Sequence, residues 1–314
     1  MGKIIVLDAA IEKVFGEGFY TEGPAEGPDG RIYFCDITPT FRSGMQAGNI
    51  WVYDPADGRT SLFRSPSGMA SAIKFDKLER MVVAGGADFG CRSIIRTDLR
   101  TGRSHILAGL YNGRPFNAPN DLVIDREGAI YFTDPRYFGH EPVEQPVFGV
   151  YRIDPDGGVR LILADVSKPN GIDLSPDQRT LYVVEHDIRI LDRRYEPAPT
   201  RDIGDMRILA YDLRDGTASN QRVLVDYHGE KGADGIAVDA DGNIYAAVQS
   251  ATRPGVRIYD PSGAQIEEIL VPEVPSNVAI ATHGGKTSLY ITASRSVYRI
   301  ATMIPCAGKV DKPI

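Results

Sequence analysis

A two-segment unit recurs six times along this chain, and it limits the fold more than any other feature of the sequence. The copies read GPAEGPDGRIYFCDI, SAIKFDKLERMVVAGG, LVIDREGAIYFTDP, GIDLSPDQRTLYVVEH, GIAVDADGNIYAAVQS and NVAIATHGGKTSLYITAS. A third segment follows each copy, from IWVYDPADGR at Ile50 to VYRI at Val297, and most continue into a fourth, such as TSLFR, SHILAG and VRLILAD. The segments are short, rich in β-branched and aromatic residues, alternating in polarity, and separated by Asp-Gly, Pro-Asp and Ser-Gly pairs. That is the pattern of antiparallel strands. Six units of about four strands, none able to bury both faces alone, predict an all-β fold: a six-bladed β-propeller with four antiparallel strands per blade. The last copy lacks a fourth segment, while IEKVFG at residues 11–16 stands spare before the first. The N-terminal strand is therefore expected to complete the last blade and close the ring. The expectation is one propeller domain over residues 1–314, with a C-terminal tail from about 303 to 314.

Bulk properties narrow the partners. With 42% hydrophobic and 25% charged residues the composition is that of a globular protein, and no apolar run approaches the roughly 18 residues of a membrane helix. The opening MGKIIVLDAAIEK is interrupted by Asp8 and Glu12 and lacks a cleavage site, so the expected compartment is the cytoplasm. The net charge of −7, without a basic cluster, speaks against nucleic acid and anionic membranes. Cys35, Cys91 and Cys306 form no C-x-x-C pair and read as isolated thiols. There is no G-x-S-x-G elbow, no H-E-x-x-H and no phosphate-cradling glycine loop. The D-x-D-G fragments at 154–157 and 239–242 lack the twelfth-position Glu of a calcium loop and read as turns.

Aligning the units on their turns puts one polar residue of each at the entrance of the innermost strand: Glu22, Ser71, Asn120, Asn170, Asp234 and Asn277. In a propeller those strands line the central channel, so the six positions converge. Asn, Asp and Ser before a strand are also ordinary turn formers. Six in register, with the two carboxylates in different units, point instead to a ring of oxygens suited to a hard divalent cation. Calcium fits best, because it tolerates neutral oxygens and open positions; magnesium, manganese and zinc are the alternatives, and no histidine stands at a ring position to favour zinc. Of the five histidines, only His186 ends a second segment near the expected site.

The motifs T-E-G-P-A, N-A-P-N-D-L at 117–122, K-P-N-G-I at 168–172 and A-D-G-I-A-V-D at 233–239 resemble the gluconolactonase, regucalcin and luciferin-regenerating-enzyme family of six-bladed propellers. The resemblance runs from about residue 12 to 301. It implies one divalent cation, usually calcium, held by Glu22, Asn170 and Asp234, with Asn120 near the metal or the substrate. One position departs: regucalcin-like members carry an arginine two residues before the Asn120 equivalent, where this chain has Ala118. The N-x-P-N form, with Asn117, is more similar to the bacterial gluconolactonase branch.

The loops joining second and third segments should rim the site, and two are long: 136–149 and 187–207. The expected chemistry is metal-assisted hydrolysis of a lactone, with Asp234 as base, Glu22, Asn120, Asn170 and Asp234 around the metal, and Asn117, Asn120 and Tyr137 toward the substrate. Two other readings share the site: phosphotriester hydrolysis by carboxylate attack, and a non-catalytic propeller that keeps the metal for structure.

Overall fold

The computed structural model describes residues 4–44, 48–188 and 204–307. Six four-stranded antiparallel sheets are arranged as blades, and five of them follow the chain strictly. Blade 1, for example, runs Thr21–Glu26, Ile32–Asp36, Asn49–Asp54 and Arg59–Arg64 from the channel outward. The sixth blade takes Pro275–His283, Lys286–Ala293 and Ser296–Thr302 and borrows Glu12–Phe15 as its outer strand. The closure expected from the spare N-terminal segment is thus the one observed, with Glu12 opposite Arg299 and Phe15 opposite Val297. Among the described residues, helix is confined to one turn, Thr40–Ser43, in the rim of blade 1.

Six hydrophobic clusters fill the six spaces between blades. That between blades 3 and 4 joins Val123, Tyr131 and Val150 to Ile172, Val183 and Leu209; that between blades 6 and 1 joins Val297 and Tyr290 to Phe15 and Phe34. Each sheet therefore buries both faces on its neighbours, which is why second strands such as Ile32–Asp36 and Ile244–Val248 are buried along their whole length. Outer strands are less buried; Arg59–Arg64 has no buried residue.

Residues 303–307 run across blade 5, where Cys306 bridges Asp239 and the Ala307 amide donates to the Val238 carbonyl. Residues 308–314, like 189–203 within the long loop of blade 4, lie outside the described residues.

Phe15 is the anchor of the closure, its ring 5.1 Å from Phe34 and 5.3 Å from Trp51. Phe15→Ala should cost about 3 kcal/mol, lowering the melting temperature by several degrees while leaving the circular-dichroism spectrum of the folded state unchanged.

Candidate active site at the channel mouth

The innermost strands contact one another around the ring. In five of them the sheet register slips at the polar entrance: between Glu22 and Ala25, Ala70 and Ala72, Pro169 and Ile172, Ala233 and Ile236, and Pro275 and Asn277. A bulge re-aims the side chain at the slip. In blade 3 the strand Leu122–Ile124 starts two residues after Asn120, whose amide donates to the Thr133 carbonyl.

Glycine follows Glu22, Asn170 and Asp234, and only those three of the six. A Cβ on Gly171 would stand 2.7 Å from the Asp234 carbonyl oxygen, and one on Gly23, held at φ 44°, would run into the Ser71 carbonyl. Gly235 stands the same way against Asn277. Bare backbone at these points lets the next blade's strand press in and narrows the channel mouth.

The structure brings Glu22, Asn170 and Asp234 together, all buried. The Asp234 carboxylate accepts from Gln249 Nε2 at 2.5 Å and from the Tyr20 hydroxyl at 3.4 Å, both on Oδ2, and Asn170 also donates to it. Glu22 Oε2 accepts from the Gly23 amide at 3.0 Å, and Asn277 donates to both Glu22 and Asp121. Burial pushes the Glu22 carboxyl well up, and the Asp234 charge adds to it. Burial likewise raises Asp234, to about 7, with Asp121 adding and Tyr20, Lys231 and Asn170 opposing. Two buried acids with raised pKa and two amides make an oxygen-donor set short of positive charge, which fits a hard divalent cation. No group of three or more His, Cys, Asp or Glu is placed to hold a metal ion among the described residues, so the donor set depends on its amides.

The other expected residues divide by role. Asn120 lines a cavity beside the site, and its side-chain amide has no hydrogen-bond partner among the described residues. Tyr137 lines the same cavity; its hydroxyl accepts from Asn170 Nδ2 at 2.9 Å and donates to the His186 carbonyl at 3.2 Å. Asn117 faces elsewhere. It is fully buried, its Oδ1 accepts from the Glu144 and Gln145 amides at 3.0 and 3.1 Å, and its Nδ2 donates to the Val147 carbonyl. The amide is spent on pinning the 136–149 loop, so it positions the rim. Ser71 donates to the Asn120 carbonyl at 2.7 Å and clamps that entrance. His186 donates from Nδ1 to the Ala233 carbonyl at 2.7 Å, and burial lowers its pKa to about 4, so it is a neutral tie beside Asp234.

Tyr20 and Gln249 were not among the expected residues. Gln249 follows the second strand of blade 5 as His186 ends that of blade 4: Glu185 pairs Pro169, and Val248 pairs Ala233. The same register that singles out His186 finds Gln249. Nothing local marks Tyr20.

The rim on the opposite side is cross-laced. Asp88 accepts from the Thr40 amide at 2.7 Å and lies 3.3 Å from His140 Nε2, while Glu141 accepts from the Asp88 and Phe89 amides at 3.0 and 2.7 Å. The loops of blades 1, 2 and 3 are thereby joined, with Asp88 and Phe89 both held at positive φ.

Fold and site define a class: six-bladed propellers that gather acidic and amide oxygens at one mouth of the central channel. The chain belongs to the SMP-30/gluconolactonase/LRE-like region family, whose model matches residues 20–295. It is 29% identical to a gluconolactonase of Zymomonas mobilis over 95% of this chain and 83% of that protein. It is 28% identical to the lactonase drp35 of Staphylococcus epidermidis over 83% and 72%. Among solved structures it is similar to a gluconolactonase of Xanthomonas campestris, with a TM-score of 0.77 and 26% identity over 96% of this chain and 92% of that one. A calcium-binding regucalcin of Agrobacterium tumefaciens shares the fold at TM-score 0.70 and 21% identity, over 98% and 99% of the two chains.

Asn117→Ala leaves two loop N–H groups without their acceptor, which should cost about 2–3 kcal/mol. Limited proteolysis should then cut first within 136–149.

Proposed function

We propose that this protein hydrolyses a lactone at the channel mouth. The observation that carries the reading is Asp234: a buried carboxylate, oriented by Gln249 and Tyr20 and set beside Asn170 and Glu22, in a chain similar over nearly its whole length to a gluconolactonase. Glu22, Asn170 and Asp234 would hold one divalent cation, calcium by its tolerance of neutral oxygens, with Asn120 at the open side. The two acids balance its charge. Bound there, the cation supplies Lewis-acid polarisation of the ester carbonyl.

The chain's own groups perform the rest. With Oδ2 occupied by Gln249 and Tyr20, Asp234 offers Oδ1 to the attacking water. As the water oxygen bonds to the acyl carbon, Asp234 takes one proton; the ring C–O bond then breaks, and that proton passes to the departing ring oxygen, giving the open hydroxy acid. Asn120 can donate to the lactone oxygens from its unpartnered amide, and Tyr137 fixes Asn170.

Asp234→Asn should abolish hydrolysis of glucono-δ-lactone, followed by acid release, without loss of the folded spectrum. Unimpaired turnover would sink the assignment.

The acids also predict a pH dependence. Asp234, raised to about 7, binds a proton that the unfolded chain releases near 4, so without cation stability falls as pH rises through that window. A cation relieves the cost above it. Calcium at a hundred times its Kd should stabilise by about 2.7 kcal/mol, and the gain in melting temperature over a chelator control should be larger at pH 8 than at pH 5. Equal gains at both would count against the cation site.

A further inference from the structure

The channel mouth has two unlike sides. Toward blades 4, 5 and 6, and joined by Glu22 of blade 1, stand the acids and amides. Toward blades 1 to 3 lies a small cavity of about 40 Å³, open to solvent and walled by Ile37, Met69, Ala87, Ala118, Pro119 and Phe138. It meets the site through Asn120 and Tyr137. Its remaining polar side chain, Ser71, is already spent on the Asn120 and Pro119 carbonyls. No charged side chain lines it among the described residues.

Its shape is built. Gly86 gives the wall no side chain; a Cβ there would sit 3.2 Å from the Met69 carbonyl. Met69 is held at φ 56°, an unfavourable backbone for a side-chain-bearing residue, and is buried against the cavity. The Asp88 and Glu141 lacing holds the loops above. Hydroxyl groups placed in this cavity would lose water and find few partners, whereas alkyl carbon would be buried at a gain.

We infer that this cavity is the subsite for an alkyl substituent, so that the substrates are lactones bearing a short hydrocarbon chain on the ring. The ring carbonyl sits at Asn120 and the chain runs toward Ala118 and Met69. Placement of the ring rests on the lactone-hydrolysis reading; the apolar preference rests on the cavity.

The test is a homologous series, γ-butyrolactone, γ-valerolactone, γ-hexalactone and γ-octalactone, set beside glucono-δ-lactone. The ratio kcat/KM should rise about three- to fourfold per added methylene over the first members. In Ala118→Leu, which fills the cavity, the octalactone-to-butyrolactone ratio should collapse toward one. A flat series, or glucono-δ-lactone preferred over every alkyl lactone, overturns the subsite and leaves hydrolysis standing. If no lactone turns over, the hydrolysis reading falls and calorimetry decides the cavity. Saturable γ-octalactone binding weakened at least tenfold by Ala118→Leu supports the subsite, and absence of binding overturns it.

Discussion

Close approach of neighbouring innermost strands at the mouth is the constraint on which the site depends. Gly23, Gly171 and Gly235 remove the side chains that would hold blades apart, and each follows a residue of the acidic cluster. The bulge turns Glu22, Asn170 and Asp234 into the channel; the glycine beside each brings the next blade near enough for contact. A donor set that spans several blades is only as precise as the spacing between them.

That compression gathers charge in a narrow space. Below Glu22 and Asp234 lie Asp121 and Asp173, both pushed up by burial, Asp173 to about 6, and both drawn down by Lys74. Backbone and amide donors meet them: Leu122 and Asn277 at Asp121, Leu174 and Val238 at Asp173. The lower layer thus draws on Lys74 and these donors, while the upper layer relies on Gln249, Tyr20, amides and the charge of Lys231. Buried carboxylates without a paired cation are costly, and the cost is concentrated where a ligand can relieve it.

Much of this was legible in the sequence because it is local. Turn pairs and polarity alternation mark each strand, the six copies count the blades, and the spare segment before Glu22 announces the closure. Register placed the six polar entrances at one mouth, and the family resemblance singled out Glu22, Asn170 and Asp234 among them. Other features rest on distances between blades that no local pattern encodes. Tyr20 reaches Asp234 across 214 positions, and the crossing of residues 303–307 onto blade 5 follows from contacts with Val238 and Asp239. Asn117 shows a further limit: its motif places it near Asn120, but its side chain is held by the backbone of residues 144–147. The glycine after three of the six polar entrances was visible throughout, and it separates the acidic cluster from Ser71, Asn120 and Asn277.

The pairing of Glu12 with Arg299 also sets an order of events. Synthesis proceeds from the N-terminus, so Glu12–Phe15 waits until its partner strand Ser296–Thr302 has been made. Glu22 follows shortly after that strand, and Asn277, which donates to it, belongs to the sixth blade. Earlier blades can stack as they emerge, but the two ends of the arc meet only when Ser296–Thr302 has been made. Glu22 and its donor Asn277 therefore come together only after the sixth blade is made, and until then the nascent protein carries its acids apart.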